Sequence, residues 1–405
     1  MITNQPILNI GLVGHIDHGK TTLLYRLTGV WADKHSEELK RGITIKLGYA
    51  DAVINKCSKC SKYTIEKKCP CCEGKVEPVK YVSFVDAPGH EMLMATMLGG
   101  AAVIDAALLL IAANESFPQP QTKEHLLALE AKGIKQVIIV QNKIDLVSKE
   151  DALKQYKQIK NFIKGSIAEN AKIIPVSAQQ GINVDKIFEE IDKIKIPERD
   201  EKSEPLFLIA RSFDINLPGA DVQKMKGGIL GGTLKQGKLK VGEIIEIKPG
   251  QSLKQKDKTI YKTVKTKIIS LRAGNNDLQE AFPSGSLAIQ TSLDPFMTKA
   301  DSLAGCVAGK ENKLPEISYN IKIKMTLFKE IVGAGESIKI DPLKIREPLM
   351  LSVNTSTTVG FVEKIGKDFV DLTLKIPVVP FKNNRVGIAR NYQGHWRLIG
   401  WGEFA

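Results

Sequence analysis

Over roughly residues 7–196, short apolar runs alternate with stretches of helical spacing. Residues 7–13, 81–86, 137–141 and 173–176 are near-continuous apolar runs of strand length, as expected of strands buried on both faces. Residues 121–132, 150–164 and 184–194 repeat apolar positions every three or four residues, the pattern of amphipathic helices. The most apolar stretch, residues 101–113, is short and interrupted by Asp105, so it reads as a helix end followed by a strand and not as a membrane span. The alternation predicts an α/β, doubly wound parallel sheet with its ligand at the C-terminal ends of the strands.

The period changes after a charged, proline-bounded linker at residues 197–205. Short β-type runs follow at 206–214, 241–247, 264–271 and 286–290, separated by Gly, Pro and Asn. The pairs Gly227-Gly228 and Gly231-Gly232 suggest strands that approach closely in a small barrel. A second β series occupies 317–327, 347–353, 357–365, 369–376, 386–392 and 396–401. Three domains are therefore expected: 1–200, carrying an insertion at 57–72, then antiparallel β-barrels at 201–312 and 313–405. Trp396 and Trp401 fit barrel core and rim, and the Lys-rich stretch 253–267 fits a solvated hairpin.

Chemistry enters at Gly14-His15-Ile16-Asp17-His18-Gly19-Lys20-Thr21, between the first strand and a helical run containing Thr22, Leu23, Leu24 and Leu27. A Gly-rich loop at a helix N-terminus offers free N–H groups and a positive dipole end to phosphate. In this reading Asp17, His18, Gly19, Lys20, Thr21 and Thr22 form the phosphate end. Lys20 reaches the β and γ phosphates, and the Thr21 hydroxyl ligates Mg²⁺. Asp86, ending the 81–86 run, is placed to hold Mg²⁺ through a water. Gly89 senses the γ-phosphate by its N–H, and His90 orients the attacking water. Thr44 lies where a first switch segment supplies a hydroxyl to Mg²⁺ and the γ-phosphate.

Base choice comes from Asn142, Lys143 and Asp145. The Asp145 carboxylate can accept from N1–H and the 2-amino group of guanine, a donor pair adenine lacks. The apolar stem of Lys143 would lie along the base, and Ser177-Ala178 would offer a backbone N–H to guanine O6. Four motifs in this order within one domain's length identify a GTP-binding chain.

Composition adds two points. The net charge of +13 is uneven, +3 over residues 1–200 and +10 over 201–405, which suggests an anionic macromolecular partner, RNA first. Five of the six cysteines fall between Cys57 and Cys72. Cys57, Cys60, Cys69 and Cys72 are the expected ligands of a closed structural Zn²⁺ site, while Cys71 sits too near Cys69 for the usual pairing. The chain has no basic, apolar, small-residue leader of the secretory type, so a soluble, cytoplasmic location without membrane contact is expected.

The segments Val13-Gly-His-Ile-Asp-His-Gly-Lys-Thr-Thr22 and Asp86-Ala-Pro-Gly-His90 resemble those of the translational GTPases, the group that includes elongation factor Tu. Residues 34–48, the Cys knuckle, residues 113–122, Arg211-Ser-Phe-Asp-Ile215, residues 226–232 and Trp396-Arg-Leu-Ile-Gly-Trp401 are similar to the gamma-subunit family of archaeal/eukaryotic translation initiation factor 2. That resemblance implies a heterotrimer with alpha and beta subunits, alpha on the second domain and beta on the nucleotide domain. It implies delivery of methionylated initiator tRNA to the small ribosomal subunit in the GTP form, release on hydrolysis to GDP, and a contribution of Asp17 to a metal near the phosphates. Two rival readings remain open at this point: an elongation-type or selenocysteine-specific aminoacyl-tRNA carrier, and a metallochaperone GTPase.

Overall fold

The computed structural model describes residues 3–31, 46–88, 94–216, 219, 221, 223, 225–256, 258–331, 338–381 and 384–404. The expected switch and catalytic residues Thr44, Gly89 and His90 lie outside them. The chain divides into two compact units, one of residues 1–197 with 330–338, the other of 198–329 with 339–405.

The first unit is built on one sheet. Its strands are β1 (Leu8–Gly14), β2 (Gly48–Cys57), β3 (Tyr63–Thr64), β4 (Val76–Asp86), β5 (Ala106–Ala112), β6 (Gln136–Asn142) and β7 (Ile173–Pro175), in the order β3-β2-β4-β1-β5-β6-β7. The helices are α1 (Lys20–Thr28), α2 (Met94–Ala101), α3 (Pro120–Ala131), α4 (Lys149–Phe162) and α5 (Val184–Lys193). All seven residues of β1 and of β5 are buried, which is why both read as unbroken apolar runs.

The sheet is parallel from β4 to β7 but not throughout. β2 runs antiparallel to both β4 and β3. The reason is local: β2 and β4 are joined through the Cys-containing hairpin, and a hairpin can connect only antiparallel strands. The knuckle thus prolongs the β2–β4 ribbon, with Cys57 in register with Val76. It is anchored to α5 by the Tyr63 hydroxyl, which donates to Asp192 over 3.0 Å. Lys80 on β4 caps the C-terminal end of the same helix, donating to the carbonyls of Ile191, Asp192 and Ile194 at 2.6–3.1 Å.

The second unit carries two closed antiparallel barrels. The first uses β8 (Leu206–Phe213), β9 (Ile229–Gln236), β10 (Ile244–Gln255), β11 (Lys258–Ala273), β12 (Ser286–Thr291) and β13 (Val307–Lys310), closed by β10 pairing with β11. The second uses β14 (Ser318–Leu327), β15 (Pro348–Val353), β16 (Ser356–Ile365), β17 (Phe369–Val378), β18 (Arg385–Tyr392) and β19 (His395–Phe404). In β17, buried Val370, Leu372 and Leu374 alternate with less buried Asp371 and Thr373, the period-two signature of a filled barrel.

Gly232 on β9 shows why the paired glycines are there. A β-carbon on it would stand 1.8 Å from the Leu208 carbonyl oxygen of β8, so no larger residue lets these strands meet. The Lys-rich stretch is indeed a hairpin, formed by the ends of β10 and β11, with Lys254 and Lys256 exposed. Trp396 and Trp401 are half-buried on β19, on the rim and not in the core. The Arg385 guanidinium lies 4.0 Å from the centre of the Trp401 ring.

Candidate functional site

The loop between β1 and α1 delivers Lys20 as the first residue of the helix. Its ammonium curls back to the loop's own carbonyls, Gly14 at 3.0 Å and His15 at 2.7 Å. Thr21, one residue on, donates from Oγ1 to Asp86 Oδ2 at 2.9 Å. Asp86 ends β4, the parallel neighbour of β1, so the sheet register itself brings hydroxyl and carboxylate together. Both are hard oxygen donors of the kind Mg²⁺ takes, and they fit that ion. Asp17 is exposed on the loop in the left-handed region (φ 59°), and Thr22 is half-buried in the first turn of α1.

His18 behaves differently from a phosphate-facing residue. Its ring is buried, with Nδ1 donating to the Leu110 carbonyl at 2.8 Å and Nε2 3.3 Å from Glu115 Oε2. Burial pushes its pKa down to about 4, so the ring is a neutral brace and only its main chain lines the loop.

At the base end, Asn142 at the tip of β6 joins the motifs to one another. Its Nδ2 donates to the His18 carbonyl at 2.9 Å, and its Oδ1 accepts the Ala178 N–H at 3.0 Å. Of the Ser177-Ala178 pair, expected to offer a backbone N–H to guanine O6, the Ala178 N–H is engaged by Asn142 and the Ser177 N–H by the Ile182 carbonyl at 3.2 Å. Ser177 is fully buried and its hydroxyl accepts the Gln180 N–H at 3.2 Å, which fixes the turn that carries Ala178. Lys143 is left-handed (φ 61°) and leads into a single 3₁₀ turn, Ile144–Leu146, that presents Asp145 with its side chain exposed.

Three contributors were missed in the sequence. His125 on α3 is buried beneath the loop, and its Nδ1 accepts the Gly14 N–H at 2.9 Å. That bond needs a lone pair on Nδ1, and burial holds the pKa near 3, keeping the ring neutral. Glu115 stands between His18 and Lys143, its Oε1 3.8 Å from the Lys143 ammonium. Arg26 on α1 bonds the carbonyls of Ala178 and Gln179. His125 carried no distinguishing signal, because Thr122 and Glu124 are buried polar residues of the same helix. Glu115 and Arg26 carried none.

In the knuckle, Sγ atoms of Cys57, Cys60, Cys69 and Cys72 lie within 4.8 Å of one another. The separations Cys57–Cys72 and Cys60–Cys69 are 3.5 and 3.4 Å. Four sulfurs at about 2.3 Å from one ion would be spaced at nearly this distance, so the set fits tetrahedral Zn²⁺. The N–H groups of Cys60 and Lys59 point at Cys57 Sγ and pull its pKa down to about 6, which favours the thiolate a metal requires. Cys71 is exposed and stands outside the set. Cys306 is a buried residue of the first barrel's core, its thiol pushed up to about 11 by burial.

A phosphate loop closing on a strand-end carboxylate, with Asn142-Lys-Ile-Asp145 at the end of β6, Ser177-Ala178 after β7 and two barrels beyond, defines a GTPase of the translational class. Residues 5–197 match the family described as Elongation factor Tu GTP binding domain, and residues 319–404 match Initiation factor eIF2 gamma, C terminal. The chain is 52% identical over 404 residues to a translation initiation factor 2 subunit gamma of Methanococcus vannielii, covering 99% of this chain and 98% of that protein. It is 50% identical over 401 residues to the protein so named in Pyrococcus furiosus, covering 99% and 98%. The chain belongs to the translation initiation factor 2 gamma-subunit family.

Two solved structures share the fold at 22% identity. A bacterial selenocysteine-specific elongation factor, EF-Sec, has a TM-score of 0.75 over 98% of this chain and 58% of its own. Elongation factor SelB of Methanococcus maripaludis, solved with the GTP analogue GppNHp, has 0.72 over 99% and 79%. The full-length identity of 50–52% favours the initiation-factor reading over the selenocysteine-specific one, and the metallochaperone reading finds no support. Among the described residues no helix is long and apolar enough to cross a membrane.

Proposed function

We propose that this chain carries methionylated initiator tRNA to the small ribosomal subunit in its GTP form, as the gamma subunit of a heterotrimer with alpha and beta subunits, in the cytoplasm. The observation that carries this reading is the 52% identity, over 99% of the chain, to proteins named translation initiation factor 2 subunit gamma. The +10 excess over residues 201–405 supports an RNA cargo.

In this reading Lys20 and the loop N–H groups hold the phosphates, and Thr21, Asp86 and Thr44 hold Mg²⁺, which neutralises charge as the γ-phosphoryl leaves. Asp17 contributes to a second metal contact. Gly89 senses the γ-phosphate and His90 orients water, with hydrolysis slow until a partner aligns that histidine. Asn142, Lys143, Asp145, Ser177 and Ala178 select guanine. Zn²⁺ in the four-Cys knuckle is structural, because a four-thiolate shell leaves no position for substrate.

Filter binding of the purified chain, with and without its alpha subunit, tests this. Methionylated initiator tRNA should be retained in GTP analogue and released in GDP. It should be preferred over uncharged initiator and over a charged elongator tRNA. Equal binding in both nucleotide states would overturn the carrier role while leaving the GTPase class intact.

A further inference from the structure

We infer that Arg26 is a positioning residue for guanine recognition, clamping the Ala178–Gln179 turn from the phosphate-loop helix. It lies in the last turn of α1, the helix that begins at Lys20. Its Nε donates to the Ala178 carbonyl at 2.9 Å and its second nitrogen to the Gln179 carbonyl at 2.6 Å. These bonds span 152 and 153 residues of sequence and are the fork of one rigid guanidinium.

The clamp acts on donors. In a trans peptide the N–H points opposite to the C=O, so fixing the Ala178 carbonyl toward Arg26 aims the Gln179 N–H away from it. The Ala178 N–H goes to Asn142 and the Gln180 N–H to Ser177, while the Gln179 N–H has no acceptor among the described residues. A cation on the preceding carbonyl also polarises that peptide and strengthens its N–H as a donor. The turn is thus gripped on two sides, by Asn142 from β6 and by Arg26 from α1, and the N–H left over is the one Arg26 orients. Because the phosphate loop ends in α1, one helix sets both ends of the nucleotide.

This rests on the guanine site proposed above, and the experiment separates the two. The probes are GDP and 6-thioguanosine diphosphate, which keeps N1–H and the 2-amino group but presents sulfur, a poor acceptor, in place of O6. Unaltered chain should bind GDP more tightly than the thio analogue. In Arg26→Met the GDP affinity should fall about 3- to 10-fold, the range of one or two solvent-accessible hydrogen bonds, while the analogue's changes little. Arg26→Lys, which keeps the charge but not the fork, should show the same shrinkage. Thermal melts of the nucleotide-free variants check folding. Equal losses for both nucleotides, no loss, or full discrimination in the Lys variant would overturn the clamp. Failure of the unaltered chain to bind GDP would instead overturn the guanine site itself.

Discussion

Asn142 Nδ2 sits 2.9 Å from the His18 carbonyl and occupies the space above Gly19, where a β-carbon would be only 2.4 Å from that nitrogen. The Asn142-Lys-Ile-Asp145 motif and the loop between β1 and α1 are therefore in contact through one amide, and the loop can pass beneath it only without a side chain. Gly19 is also left-handed (φ 86°), a region costly for any residue with a β-carbon.

Gly19→Ala should weaken GDP and GTP binding together by about two orders of magnitude, the equivalent of roughly 3 kcal/mol of strain and displacement. Asn142 must move, so the loss should appear for both nucleotides and not at the γ-phosphate alone. Titration with a fluorescent GDP derivative would measure it. Affinity within threefold of the unaltered chain would show that the loop relaxes freely, contrary to this geometry.

Asp51 gives a pH prediction. It lies opposite Ser83 in the β2–β4 ribbon, accepts the Ser83 hydroxyl, and has its pKa raised by burial from 3.8 to about 6. The folded chain therefore holds this proton up to about pH 6, while the unfolded chain releases it near 3.8. Between those values the folded state binds more protons, so stability falls as pH rises through the window. Asp51→Asn keeps an acceptor for Ser83 and removes the buried charge. It should stabilise the nucleotide domain by about 2 kcal/mol at pH 7.5, with the gain fading toward pH 4. Denaturant unfolding at the two pH values checks it. A gain that persists at pH 4 would assign the effect to packing.

The knuckle prediction separates two neighbouring thiols. Cys72 belongs to the cluster of four sulfurs, whereas Cys71 is exposed. Cys71→Ser should retain one zinc per chain by elemental analysis, and Cys72→Ser should lose it. Metal loss from the Cys71 variant, with Cys72→Ser still loaded, would exchange the two assignments. The consequence of metal removal should reach β3 and its Tyr63–Asp192 bond, which amide hydrogen exchange can follow.

The elements were legible where one physical pattern dominated. Continuous apolar runs marked β1, β4 and β6 because parallel central strands are buried on both faces. β2 and β13 gave no such signal. β2 alternates buried Ala50, Ala52 and Ile54 with less buried Asp51, Val53 and Asn55, and β13 is only four residues long. The candidate site was legible as a set of motif residues, Lys20, Thr21, Asp86, Asn142 and Asp145, whose types nucleotide chemistry would dictate. It was illegible where a side chain acts on backbone. His125 and Arg26 serve Gly14 and the Ala178–Gln179 turn from 111 and 152 residues away, and no spacing rule encodes such contacts. The side chain of His18 shows the converse: a residue inside the motif whose ring faces Leu110 and Glu115.

Asp145 allows the sharpest test of base selection. Asp145 is the exposed middle residue of a 3₁₀ turn that follows Lys143 in the left-handed region, so a substitution there alters chemistry with little effect on packing. A carboxylate can only accept, and guanine offers it two donors, N1–H and the 2-amino group. An amide in the same place presents one acceptor and one donor. It therefore matches xanthine, which has N1–H beside a carbonyl at position 2. Asp145→Asn should lower GDP affinity by at least about 100-fold, since a site built for two donors rejects a mismatch strongly, and should raise affinity for xanthosine diphosphate. Competition between the two diphosphates on the variant would read this directly. Retention of guanine preference would mean that Asp145 does not face the base, and the reading of the pocket from residues 142–145 would have to be abandoned.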